Sequence, residues 1–150
     1  MYTDGGASGN PGPGGYGTLL MYGEHVKEMS EGFRLTTNNR MELLAVIVGL
    51  EALTRDGVEV DVYSDSKYVV DAVEKRWVFG WEKKGYKDKK NPDLWQRFLR
   101  VYRRHQVQFH WAMFLQQEMP RPRLISKLKI QCLRFSNFSY LFSHRYVQIS

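Results

Sequence analysis

Residues 1–17 read MYTDGGASGNPGPGGYG. A short β-forming run, Met1-Tyr2-Thr3, delivers one carboxylate, Asp4, into a turn in which seven of the thirteen residues from Gly5 to Gly17 are glycine. Glycine is used where the backbone needs φ > 0 or must come close to another group. A lone acid on a strand beside such a loop suits a metal ligand facing a nucleic-acid or phosphate substrate. Asp-Gly-Gly is equally an ordinary turn signal, so the stretch alone leaves both readings open. Gly12, Gly14 and Gly17 match G-x-G-x-x-G, but a strand follows where a helix is required, and Pro13 lies inside the motif. A dinucleotide site is therefore excluded. No Lys-Ser/Thr pair follows either, which excludes a P-loop.

Working outward, Tyr16 to Tyr22 reads as a strand and Gly23-Glu24-His25 as a turn. Val26 to Arg34 is the hairpin partner. A helix follows from Met41 to Leu53, apolar nearly all round and so expected to be deeply packed. Glu42, an acid in its first turn, has two readings. Asn39 as N-cap with Glu42 three residues on makes a capping box, which the helix dipole favours. Alternatively, Glu42 points along the helix end toward Asp4. Arg55-Asp56-Gly57 closes the helix, and Val58 to Tyr63 alternates strictly, as a strand does. Strand, helix and strand in this order predict a crossover unit with parallel pairing. Asp65 falls at the carboxyl end of that strand and the amino end of a helix, Lys67 to Glu74. It is either an N-cap or a site residue, since sites in open α/β sheets form at the carboxyl ends of parallel strands.

The next segment interleaves rings and lysines: Trp77, Phe79, Trp81, Lys83, Lys84, Tyr86, Lys87, Lys89 and Lys90. Lysines neutralise phosphates and aromatic rings pack on sugars or bases. The alternative is a charged surface loop with buried tryptophans. Asn91-Pro92-Asp93 opens another helix, through about Arg104, and Val107 to Trp111 alternates as a fifth strand.

The totals agree with a single globular domain of 150 residues, 43% hydrophobic and 25% charged. The net charge of +6 favours an anionic partner, nucleic acid first. Cys132 is the only cysteine, so no internal disulfide can form and a reducing, cytoplasmic setting is expected. No signal sequence or membrane-spanning run is apparent. The charge is uneven: residues 1–111 carry 16 basic and 15 acidic residues, whereas 112–150 carry six basic residues and one acid, Glu118.

Five stretches, in this order, resemble the type 1 ribonuclease H family. They are Tyr2-Thr3-Asp4-Gly5, Gly9-Asn10-Pro11-Gly12-Pro13-Gly14-Gly15, Thr36-Thr37-Asn38-Asn39-Arg40-Met41-Glu42-Leu43, Tyr63-Ser64-Asp65-Ser66-Lys67-Tyr68-Val69 and Asn91-Pro92-Asp93-Leu94-Trp95. With His110-Trp111 they span residues 1–111. The resemblance implies an α/β fold, a five-stranded mixed sheet with helices on both faces. It implies hydrolysis of the RNA strand of RNA–DNA hybrids with two Mg²⁺ ions, for which Mn²⁺ can substitute. By similarity, Asp4 bridges both ions while Glu42 and Asp65 complete one of them. Hard oxygen donors suit Mg²⁺, and a metal pair activates water and stabilises the leaving oxygen. Asn10, Asn38 and Lys67 correspond to positions that touch RNA 2′-hydroxyls, and Thr37 to one that holds a DNA phosphate. The segment around Trp77, Trp81, Lys83 and Lys84 corresponds to a basic protrusion that grips the DNA strand. No protein partner is implied, and a monomer is expected.

After His110-Trp111 the resemblance ends. The family's glycine- and histidine-containing loop and its last helix with a fourth metal-binding aspartate have no counterpart, and no aspartate follows Asp93. The abrupt change of composition reads as a frameshifted end. Glu118 is a poor replacement ligand, because metal ligands must be placed to within tenths of an ångström. The loss of a helix is expected to expose one sheet face. Two functions remain: a ribonuclease H with impaired activity, or a module that holds the hybrid without cutting it.

Overall fold

The computed structural model describes residues 1–112 and the two-residue strand Val147–Gln148. The expectations for the tail and for Glu118 lie outside the described residues. The elements are β1 (Tyr2–Ala7), β2 (Gly12–Tyr22), β3 (His25–Thr36), α1 (Asn38–Glu51), β4 (Glu59–Ser64), α2 (Lys67–Glu74), α3 (Trp77–Lys83), α4 (Pro92–Tyr102), β5 (Gln106–Trp111) and β6 (Val147–Gln148). The sheet order is β5-β4-β1-β2-β3-β6, in which β6 contributes only two pairings to the edge of β3. The β1–β2 and β2–β3 pairs are antiparallel; β1–β4 and β4–β5 are parallel. The five longer strands thus form the expected mixed sheet, with α1 as the crossover between parallel neighbours β1 and β4.

The glycine run is less of a loop than its composition implies. Strand β2 begins at Gly12, and Gly15 and Gly14 pair with Gly6 and Ala7 of β1. A Cβ at Gly14 would run into the Thr36 side chain and the Gly6 carbonyl. Here glycine serves close approach between strands, not a turn. The turn proper is short and contains the cis Asn10-Pro11 bond.

Helix α1 is buried on most of its circumference, with Leu43, Ala45, Val46, Ile47 and Leu50 at zero exposure. It lies across β1, β2 and β3 and packs on α4. The Thr18 hydroxyl on β2 donates to the Ala45 carbonyl at 2.7 Å, tying helix to sheet. Trp95 and Phe98 of α4, Val69 and Val73 of α2, and Val62 of β4 join the same core. A second cluster, Leu19 and Ala112 with Tyr2, Met21, Val26 and Tyr63, lies on the other side of the sheet. There Tyr2 stacks on Tyr63 (4.8 Å between centroids) and Tyr63 on His110 (4.7 Å), a rung across β1, β4 and β5. A helix over that second face would fall on residues outside those described.

The basic, aromatic segment opens as a helix, α3, not as the surface loop that its charge allows. Trp81 turns inward, edge-on to Trp95 at 5.7 Å, while Trp77 is 48% exposed. Tyr86, Asp88 and Asn91 all have positive φ, so the lysine-rich stretch after α3 is a series of tight turns.

Candidate active site

Strand register brings the first and third acids together. Thr3 pairs with Ser64 across the parallel β1–β4 ladder, so the residues that follow are neighbours: Asp4, still within β1, and Asp65, one residue past the end of β4. Glycine brings in the second. A Cβ at Gly5 would strike the backbone of Met41 and Glu42, so its absence lets the first turns of α1 press directly on β1. The result is that one carboxylate oxygen from each of Asp4, Glu42 and Asp65 lies within 4.8 Å of the others. Asp4 and Glu42 are half-buried and Asp65 is exposed.

The caps differ from either capping alternative. Helix α1 starts at Asn38 and its N-cap is Thr37, extended at φ −125° and ψ 159°, whose side chain accepts from the Arg40 amide at 3.3 Å. Asn39 is therefore inside the helix, and Glu42, one residue beyond the first turn, closes no capping box. In the same way Ser66, not Asp65, caps α2, accepting from Val69 N at 3.4 Å. Hydroxyls, Thr37 for α1 and Ser66 for α2, perform the capping, and neither Glu42 nor Asp65 serves as a cap. A cleft of about 600 Å³ opens beside the carboxylate cluster, lined by Gly5, Ser8, Asn38, Asn39, Glu42, Ser66, Lys67 and Tyr68 among others. Of these, Gly5, Ser8, Asn39, Ser66 and Tyr68 were not among the sequence candidates. Their signal was present, since all but Ser8 belong to the family-like stretches.

The remaining candidates divide by place. The Asn38 amide nitrogen donates to Asn10 Oδ1 at 3.3 Å, and the Ala7 amide donates to Asn38 Oδ1 at 2.5 Å. These bonds hold the glycine turn over the start of α1 and use the carbonyl end of each side chain. Among the described residues neither Asn10 nor Asn38 Nδ2 makes a hydrogen bond, so both retain donors at the exposed rim. Lys67 sets its ammonium 4.5 Å from the centre of the half-exposed Trp111 ring, whose Nε1 donates to the Asp65 carbonyl at 3.4 Å. Thr37 lies at the cap already described. Trp77, Trp81, Lys83 and Lys84 stand apart on α3 and its C-terminal end and do not line the cleft. Lys75 lies over Trp77 at 4.9 Å and Lys89 over Trp81 at 5.3 Å, so two of the segment's rings each carry a lysine ammonium.

One network reaches the site from outside the cluster. Arg40 grips Asp93 through two bonds, 3.0 and 2.8 Å, and also donates to Asn91 Oδ1 at 3.2 Å. The guanidinium bond holds the Asp93 carboxyl below its usual range, with burial opposing. Asn91 Nδ2 and Trp95 Nε1 both donate to the Tyr68 hydroxyl, at 3.1 and 2.9 Å. Arg40, Tyr68, Asn91 and Asp93 come from three separate family-like stretches.

Chemically, the cluster offers hard carboxylate oxygens and no sulfur or imidazole, a donor set that fits a divalent cation of the Mg²⁺ type. Three carboxylates so close together are mutually repulsive without a neutralising cation.

Comparison with known proteins agrees with this geometry. The RNase H family model matches residues 1–113. A ribonuclease H of Desulforamulus reducens is 56% identical over 117 residues, covering 75% of this chain and 73% of that one. One of Syntrophus aciditrophicus is 54% identical over the same length, covering 75% and 67%. The crystal structure of LC9-RNase H1, described as a type 1 RNase H with the type 2 active-site motif, superposes with a TM-score of 0.78 at 26% identity, covering 99% of this chain and 75% of that one. With acids from β1, from α1 and from the end of β4 converging on a sheet of this order, and with relatives more than half identical, the chain belongs to the ribonuclease H family.

Proposed function

We propose that the protein is an endonuclease that hydrolyses the RNA strand of RNA–DNA hybrids, with Asp4, Glu42 and Asp65 holding two divalent cations, Mg²⁺ or in its place Mn²⁺. The observation that carries this is the approach of the three carboxylates to within 4.8 Å of one another in a chain of this family. Bound there, the cations supply activation of the attacking water and stabilisation of the leaving 3′-oxygen. The chain's own residues bind and orient. Asn10 and Asn38 offer amide donors to 2′-hydroxyls, the groups that distinguish RNA from DNA. Lys67 adds a cation at the same rim, and Thr37 stands at an exposed helix start suited to a phosphate. Trp77, Trp81, Lys83 and Lys84 give the second strand a basic surface that reads backbone, not sequence. Residues 1–111 form the catalytic core in this reading, and 112–150 a tail of different composition with a frameshifted origin. The single cysteine supports a reducing, cytoplasmic setting, and nothing in this reading requires more than one copy of the chain.

The second reading is a module that binds the hybrid without cutting. What favours it is the absence of any aspartate after Asp93, where the family places its fourth metal ligand. A cleavage assay on an RNA–DNA hybrid with Mg²⁺ or Mn²⁺ decides. The enzyme reading expects RNA-strand cuts that Asp4→Asn abolishes. Binding with no cutting, unchanged by Asp4→Asn, selects the module.

A further inference from the structure

We propose that the Asn91 side-chain amide is a positioning residue for the metal-binding carboxylates. It bridges α1, which carries Glu42, and α2, whose cap Asp65 immediately precedes, and so sets the affinity of the cluster for divalent cations. The proposal rests on the reading of Asp4, Glu42 and Asp65 as metal ligands.

Asn91 precedes α4 in the left-handed region, at φ 59° and ψ 42°, a conformation that asparagine tolerates better than most residues. That places its amide between two helix beginnings. Its Oδ1 accepts from Arg40 in the first turn of α1, and its Nδ2 donates to Tyr68 in the first turn of α2. Arg40 and Glu42 are two residues apart, so they project from α1 roughly 200° apart. A tether on Arg40 therefore fixes the rotation of the helix that aims Glu42 from the other side. Arg40 is itself held by both oxygens of Asp93, two residues after Asn91. On the other arm, Tyr68 follows Asp65 by three residues, with the Ser66 cap locking the intervening backbone. The Tyr68 hydroxyl also accepts from the fully buried Trp95, which anchors the network in the core. Outer residues that orient ligands affect metal affinity even though they never touch the ion. Here one amide sets the spacing of two of the three ligands.

A stabilising role alone predicts a different pattern. Glu51 and Arg97 join α1 and α4 farther along, by bonds of 2.7 and 2.6 Å, away from the carboxylates. Loosening that pair loosens the same helix contact without touching the bridge.

The test is calorimetric titration of the full chain with MnCl₂ or MgCl₂ alone, with thermal melts of each variant. Asn91→Gly keeps the positive φ and removes both bridging bonds. Tyr68→Phe removes one hydroxyl and keeps the ring packed on Trp95. Each is expected to raise the metal dissociation constant about tenfold, while Glu51→Gln leaves it unchanged. Unchanged affinity in both Asn91→Gly and Tyr68→Phe overturns the proposal, as does equal weakening by Glu51→Gln. Asp4→Asn separates the two levels. If the unaltered chain binds metal and Asp4→Asn does not, the ligand reading stands and the bridge is judged on its own variants. If the unaltered chain binds none, or Asp4→Asn binds as well, the ligand reading fails and the bridge fails with it.

Discussion

His105 sits in the turn between α4 and β5, 8% exposed, with neither ring nitrogen hydrogen-bonded among the described residues. Burial lowers its pKa below 6.5, the neighbouring Arg104 charge lowers it further, and Asp56 opposes. A histidine whose folded pKa is depressed favours the neutral ring in the native state. The unfolded chain then binds more protons, and stability rises with pH across the window between the two values. The contribution is complete above the unfolded value near 6.5 and erodes as pH falls below it. Urea melts of the unaltered chain and of His105→Phe at pH 5 and pH 8 are expected to differ in slope, the variant losing less stability on acidification. Equal losses contradict this assignment. Nothing in the sequence marks His105 as buried, because its environment is a turn closed by distant residues. The three acids were legible only together: singly each had an ordinary reading as a turn or cap residue, and the family-like stretches that hold them joined the three. Arg40, Tyr68 and Asn91 were legible only as parts of motifs, since their contacts span 51 and 23 residues and no periodicity encodes such a meeting.

Among the elements, α1 shows what pattern conveys and what it does not. Its existence and burial follow from the unbroken apolar run 43–48, but its start does not. Thr37, Asn38 and Asn39 are all competent caps, and the choice among them is made by the β3 strand that delivers the chain extended up to Thr36. The cap assignment makes a prediction that the sequence alone cannot. Thr37→Ala is expected to cost about 1 kcal/mol of stability in the absence of nucleic acid, while Thr37→Ser retains most of it. Asn39→Ala, inside the helix, is expected to cost less, and denaturant unfolding of the three variants ranks them. A larger loss from Asn39→Ala than from Thr37→Ala restores the capping box with Glu42. Helix α3 was hidden for a different reason: seven residues containing Gly80 carry too little periodicity to distinguish a short helix from a loop. It is held by what Trp81 meets on α4.

For the whole molecule, the order of strands and helices was enough to give the parallel crossover, because a strand–helix–strand unit has few ways to close. The register that sets Asp4 beside Asp65 was not, since it depends on the β1–β4 pairing of Thr3 with Ser64. Charge adds a property visible only over the full chain. Residues 1–111 are nearly neutral, with 16 basic and 15 acidic residues, and several of those acids are gathered at the cleft. In the proposed function a polyanion meets a negative centre, so that reading calls for a separate basic surface to hold it. The turns from Lys83 to Lys90, five lysines against Asp88 alone, are the densest such surface in the described residues. Each phosphate that a lysine neutralises releases counterions, so the salt dependence of binding counts contacts. The double variant Lys83→Gln, Lys84→Gln is expected to lower the slope of log K against log salt by about 1 for each lysine lost. The loss should be alike for hybrids of different sequence, because phosphate contacts carry no base information. Turnover at saturating hybrid should hold, since neither lysine lines the cleft. Filter binding across a salt series measures the slope. A double variant whose slope matches that of the unaltered chain would leave these two lysines as solvated charges and count against the proposal that this basic segment holds the second strand.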